Sequence, residues 1–145
     1  EGWCVGARPQ SEDELAVPVN SLERDEDADG RWRRYVNAQL AGPYQALFAL
    51  LDRLVLLAAP DFDVVFRWRR QQEHSLAALP TTAAPDAQRA GGAAAPRVMS
   101  DAQLTRFIMH YERLTRFILA EMPRRADLVV ALDAERRVHD IVRNH

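Results

Sequence analysis

The stretch Leu54-Val55-Leu56-Leu57-Ala58-Ala59-Pro60-Asp61-Phe62-Asp63-Val64-Val65-Phe66-Arg67-Trp68-Arg69-Arg70-Gln71-Gln72-Glu73 decides the fold. Its apolar start, Leu54 to Ala58, is too short for a helix and is closed by Pro60, so it reads as a buried strand. Asp61 then stands where an N-cap belongs, and the spacing predicts a helix directly after the strand. On that helix Phe62, Val65 and Phe66 share a stripe that continues through Arg69, Gln72, Glu73 and Leu76. The stripe turns polar partway along. Its later turns carry Arg67, Arg69 and Arg70 outward, where forked guanidinium groups suit phosphate; a solvated helix face is the alternative that spacing leaves open. Glu73, one turn after Arg69, reads either as an orienting partner or as an exposed pair worth only ~0.3–0.5 kcal/mol.

Upstream, residues 31–51 place Trp32, Tyr35, Val36, Leu40, Leu47, Phe48 and Leu51 at helical spacing, interrupted by Gly42-Pro43, which predicts two helices or one bent one. From Arg8 to Gly30 the chain is rich in Pro, Ser, Asp and Glu, and its acidic run from Glu23 to Asp29 reads as a solvated loop with little regular structure. Glu1-Gly2-Trp3-Cys4-Val5-Gly6 reads as the end of a strand at a glycine turn. Downstream, residues 80–98 are almost all Ala, Pro, Thr and Gly and read as a mobile loop. Ser100-Asp101-Ala102-Gln103 is a capping box for a long amphipathic helix marked by Leu104, Phe107, Ile108, Tyr111, Leu114, Ile118 and Met122 and stopped by Pro123. Leu128 to Leu132 is a second short strand ended by Asp133, and Val138 to Val142 a third. This element order predicts an α/β fold with a parallel sheet.

The chain has 145 residues, 48% hydrophobic and 28% charged, which bounds it to at most one globular domain with a packed core. A formal net charge of −2 supplies no overall basic field, so nucleic-acid binding is not indicated. One cysteine excludes an internal disulfide and fits a reducing compartment, with cytoplasm the default. No apolar run approaches the ~20 residues that span a bilayer, so no membrane role is expected. All 19 basic residues are arginine, so the lysine of a Gly-x-x-x-x-Gly-Lys-Ser/Thr phosphate loop is not present in these residues.

Taken in order, Glu1-Gly2-Trp3, Val19-Asn20, Trp68-Arg69-x-Gln71-x-Glu73, Met99-Ser100-Asp101 with Phe107 and Tyr111, and a strand ending Leu132-Asp133 resemble the C-terminal part of D-glycerate 3-kinases and their relatives. These are P-loop kinases related to uridine kinase and pantothenate kinase. The resemblance implies a fragment of a three-layer P-loop kinase sheet, mostly helical here, with two or three short strands and the phosphate-loop strand absent. It implies ATP and Mg²⁺ as cofactors, with phosphoryl transfer to a small hydroxy acid such as glycerate. Glu1, at the end of the third strand, and Arg69 take catalytic roles by this resemblance; Arg67 and Arg69 face the phosphates, with residues 80–98 in the lid region. The expectation is that residues 1–145 form the C-terminal portion of one kinase domain and are inactive alone.

Asp133 ends a strand, and open α/β sheets bind ligands beyond their carboxyl ends, which places it on the ATP side. Trp3 and Trp68 are the candidate substrate-stacking aromatics, although aromatics at helical spacing are more often core. His74, His110, His139 and His145 show no ligand spacing, and no metal site is proposed. Cys4 reads as a small buried thiol. The competing function is a helical protein–protein interaction module without catalysis.

Overall fold

The computed structural model describes residues 1–78 and 99–144. The helices are α1 (Glu12–Ala16), α2 (Ser21–Glu26), α3 (Arg31–Gln39), α4 (Gln45–Phe48), α5 (Phe62–Ala78) and α6 (Asp101–Glu121), and the strands β1 (Val55–Ala58), β2 (Leu128–Leu132) and β3 (Val138–Arg143). The sheet order is β1-β2-β3. β1 pairs parallel to β2, with Val55 opposite Leu128 and Ala58 opposite Ala131. β3 is antiparallel to β2, which corrects the all-parallel expectation: the five-residue gap between Leu132 and Val138 permits a hairpin and is too short for a crossover.

Asp61 caps α5 as its position demands, its Oδ1 accepting from Val64 N–H at 2.7 Å. Ser100 and Gln103 form the reciprocal capping box of α6. The inner face of α6 buries Leu104, Ile108, Leu114 and Ile118. Leu114, Ile118, Met122, Leu56 and Val129 join one core cluster, with Cys4 half-buried against it; Phe62, Leu104 and Ile108 form a second. On α5 the deeply buried apolar residues are Phe62 and Val64, and Val65 and Phe66 are only half-buried. Gly6 has φ +76° and lies so close to Leu54 that a Cβ would stand 2.9 Å from Leu54 Cδ1, so the turn needs glycine at this position. Residues 3–6 form that turn, with no strand before it among the described residues.

A further sequence expectation, the solvated loop from Arg8 to Gly30, is corrected. Residues 8–30 contain α1 and α2, capped by Ser11 with Glu14 and by Asn20. Both are fastened to α6 by Arg113, which donates to Glu23 Oε1 and Oε2 at 2.7 Å each, to Glu14 O at 2.8 Å and to Val17 O at 2.6 Å. Ion pairs and caps supply here the order that an apolar pattern supplies elsewhere. Gly42-Pro43 interrupts the upstream segment as its sequence predicts: the residues from Leu40 to Tyr44 form a π turn joining α3 to α4. The apolar stripe along it faces outward: Trp32 is 66% exposed and Leu50 77%, as are much of Tyr35, Val36 and Leu47. The expected loop at 80–98 lies outside the described residues.

Asp27 replaces the cap that Gly30, in the left-handed region, cannot provide for α3. Its carboxylate accepts from Trp32 N–H at 2.7 Å and Arg33 N–H at 3.1 Å, and pairs with the buried Arg33 guanidinium. Burial alone would raise its pKa, but those backbone donors and Arg33 outweigh it and hold it below the ordinary value, as burial is likewise outweighed by Arg113 at Glu23. A carboxylate depressed in the folded state stabilises fully above its unfolded value near ~3.9 and loses that contribution as pH falls through the folded one. Asp27→Asn should therefore destabilise the chain by about 3 kcal/mol at pH 7, with the gap from wild type narrowing below about pH 4. Denaturant titrations of both proteins from pH 7 to pH 3 check this; a gap independent of pH would contradict it.

Candidate functional site

Parallel pairing sends the chain off β1 and β2 at the same end of the sheet, into α5 from one and into the Asp133–Arg137 turn from the other. Around α5 lie two recesses. A chamber of about 560 Å³ is walled by Leu56, Leu57 and Ala59 at the end of β1, by Val65, Trp68 and Arg69 on α5, by Phe107, Ile108, Tyr111, Thr115, Ile118 and Leu119 on α6, and by Trp3. An adjoining open groove of about 590 Å³ shares Val65, Trp68 and Arg69 with the chamber and is further lined by Gln71, Gln72, Ser75 and Arg136.

Among the described residues Arg69 is the one charged side chain on the chamber wall. It is turned inward, unlike the outward projection read from the sequence. Its Nη2 donates to Glu73 Oε1 at 2.5 Å and its Nη1 to Gln72 Oε1 at 2.7 Å, and its guanidinium carbon lies 5.6 Å from the Phe107 ring centroid. Glu73 is 5% exposed, so the pair is not the exposed one that helical spacing allows. The buried Arg69 Nε has no hydrogen-bond partner among the described residues. A buried N–H without an acceptor is costly and rare, and this one belongs to a guanidinium whose other end is held in place.

The other expected residues fall in different places. Trp3 reaches the chamber, its indole donating to Thr115 Oγ1 at 2.9 Å and its ring set edge-on to Tyr111 at 4.8 Å. Trp68 borders both recesses, but its indole N–H is already given to Ala134 O at 2.7 Å. Arg67 is exposed beside a separate surface groove with Arg70 and His74. Glu1 is exposed and lines neither recess. Asp133 organises the β2–β3 turn: Oδ1 accepts from Glu135 N–H at 2.9 Å and Arg137 N–H at 2.8 Å, and Oδ2 from Arg137 Nε at 2.9 Å. The Arg137 backbone donor first, then the other donors and that guanidinium, hold its pKa below the ordinary value. Among the described residues no three His, Cys, Asp or Glu side chains converge as a metal site, and the buried donor left without a partner is Arg69 Nε. A further cavity of about 410 Å³ between α2, α3 and α6 has its charges already paired, Arg33 with Asp27 and Arg106 with Glu26.

The residue that sequence reasoning missed is Arg136. It stacks over Trp68, its guanidinium carbon 5.3 Å from the ring, and donates from Nη2 to Trp68 O at 2.9 Å. The only signal was its place in a charged turn.

Compared with known proteins, the chain is 33% identical over 128 residues to the uncharacterized kinase mug58 of Schizosaccharomyces pombe, covering 88% of this chain and 40% of that one. Its fold matches D-glycerate 3-kinase from Cryptococcus neoformans var. grubii with a TM-score of 0.62 and 21% identity, over 99% of this chain and 48% of that one. The solved YGR205w protein overlaps it with a TM-score of 0.49 and 19% identity, over 97% of this chain and 45% of that one. No family model matches. The chain spans less than half the length of these relatives. The curated kinase and the D-glycerate 3-kinase fold agree with the resemblance carried by the Trp68-Arg69-x-Gln71-x-Glu73 box.

The inward Arg69–Glu73 pair predicts a coupling free energy above about 1 kcal/mol, against ~0.3–0.5 kcal/mol for an exposed pair at this spacing. A double-mutant cycle of Arg69→Gln and Glu73→Gln by denaturant unfolding measures it. A coupling near 0.3 kcal/mol would return the pair to the solvated surface.

Proposed function

We propose that this chain is part of an ATP-dependent phosphotransferase acting on a small hydroxy acid, glycerate or a close analogue. The observation that carries the reading is the buried Nε of Arg69, unpartnered among the described residues, on a side chain that lines the chamber together with Trp3 and Trp68. The similarity to a curated kinase and the fold shared with D-glycerate 3-kinase support it. When bound with Mg²⁺, ATP supplies the phosphoryl group. Glu73 and Gln72 fix the two terminal nitrogens of Arg69, leaving Nε–H for an anionic oxygen; such positioning and charge neutralisation are most of what a protein contributes to phosphoryl transfer. The apolar walls from Leu56, Ile108 and Ile118 lower the local polarity around that contact.

In this reading Arg67 gives a second, solvent-side charge to the phosphates, and Glu1 stands on the acceptor side. Asp133 shapes the nucleotide edge through the turn it holds. Residues 1–145 contain no lysine and no phosphate-loop motif, so the chain alone is inactive by this account. Purified residues 1–145 with ATP, Mg²⁺ and glycerate should yield no phosphoglycerate above background; turnover would refute this part.

Arg69→Lys in the longer active polypeptide keeps the charge but loses the planar fork. Turnover should fall on the order of 10³-fold, since an arginine serving a phosphoryl transition state is worth that much or more. Arg70, exposed and paired with Asp101 at 2.9 Å, is the control: Arg70→Lys should retain near-wild-type turnover. Steady-state kinetics with ATP and glycerate, alongside melting temperatures, read both. Equal turnover in the two variants would remove Arg69 from the chemistry.

An interaction module remains the second reading because of one observation: the outward apolar face of the α3–α4 segment, where Trp32, Tyr35, Leu47 and Leu50 are exposed.

A further inference from the structure

The β2–β3 connection is a three-residue hairpin loop, Ala134-Glu135-Arg136, closed by Asp133 N–H to Arg137 O at 2.9 Å and Arg136 N–H to Asp133 O at 3.0 Å. Its third residue takes a left-handed conformation, as this loop class requires, and glycine is the residue that adopts it without strain. Here it is Arg136, with φ 64°, the only non-glycine residue in that region among those described. The conformational cost comes with a specific placement of the side chain. Arg136 lies over the Trp68 ring and spends one N–H on Trp68 O, while Trp68 returns its indole N–H to Ala134 O. The neighbouring Arg137 is paired with Asp133 and Glu135, whereas Arg136 has no carboxylate partner among the described residues.

Arg136 therefore presents a held, uncompensated positive charge to the 590 Å³ groove. Its other polar lining groups are Arg69, which is paired with Glu73, the amides of Gln71 and Gln72, and the Ser75 hydroxyl, which donates to Gln71 O; among the described residues no carboxylate lines the groove. We propose that Arg136 is a second anion-binding arginine, which together with Arg69 makes the groove between α5 and the β2–β3 turn a site for a phosphate-bearing anion. Phosphate is favoured over carboxylate because its oxygens can accept from two guanidinium groups and from the amides at once. Naming that anion as the nucleotide phosphate rests on the kinase reading; binding by the groove does not.

The test is titration of the 145-residue chain with inorganic pyrophosphate, followed by calorimetry and by the Trp68 indole N–H resonance, with acetate as the carboxylate arm. Saturable pyrophosphate binding that shifts the Trp68 resonance is expected, with acetate much weaker. Arg136→Gly supplies the residue the turn prefers, so the hairpin is retained while the guanidinium is lost; its affinity should fall at least about tenfold. Arg124→Gln, an equal loss of charge on the exposed turn after α6, should bind as wild type. Unchanged affinity in Arg136→Gly, or an equal drop in Arg124→Gln, overturns the proposal, and so does acetate binding as tightly as pyrophosphate. Loss of pyrophosphate binding in Arg136→Gly, with no ATP-dependent turnover by the longer polypeptide, would keep the groove and discard the kinase reading. Turnover with Arg136-independent binding would do the reverse.

Discussion

Parallel pairing of β1 with β2, in the register that sets Val55 opposite Leu128, is the constraint from which the site follows. Because parallel strands end on the same side, α5 and the hairpin turn leave the sheet together, and a residue two turns into the helix can reach a turn more than sixty residues later in the chain. Asp127 secures the start of this pairing by accepting Leu54 N–H at 2.8 Å and Arg53 Nη1 at 2.9 Å, and the backbone donor first, then the guanidinium, keep that carboxyl below its ordinary pKa. A one-residue slip would turn Leu56 and Val129 out of the core and part Trp68 from Ala134.

Given that frame, the helix does two jobs at its two ends. Phe62 and Val64 bury its first turn, and Asp61 caps it, so the helix enters at a fixed angle. Farther along, the inward side is polar, and Arg69 and Glu73 occupy positions that hydrophobic residues would fill in an ordinary amphipathic helix. Placing an ion pair there gives up apolar burial and pays off in stability only when its geometry is fully satisfied. Among the described residues one guanidinium nitrogen is left without an acceptor, so the pair falls short of the full satisfaction that stability requires, and the proposed function assigns that nitrogen to a ligand.

The elements legible in the sequence were those whose local signals agree: β1, α5, α6, β2 and β3 each combine an apolar run or stripe with a cap or a breaker. The short helices α1 and α2, capped by Ser11 with Glu14 and by Asn20, are hidden in an acidic composition because, held by Arg113, they bury almost nothing apolar of their own. The α3–α4 stripe is legible as helical, but periodicity shows that a face exists without showing what covers it, and this face is exposed. Within the site, Arg69, Trp68 and Trp3 do converge on one chamber. The inward turn of Arg69 and the burial of Glu73 depend on Phe107 and α6, and the part played by Arg136 depends on a left-handed turn and a tryptophan 68 residues away; none of these is a local property of the chain.

The central claim is that the Arg69 guanidinium is held ready, with a buried Nε–H that lacks an acceptor until an anion arrives. The most direct measurement is the ¹⁵N–¹H resonance of that Nε–H in the chain, assigned by comparison with Arg69→Lys, with and without pyrophosphate. The account predicts a signal protected from exchange with water in the free chain, in contrast to exposed Arg67, and a downfield proton shift at saturating anion. An Arg69 Nε–H that exchanges as fast as that of Arg67 and does not move on anion addition would contradict it.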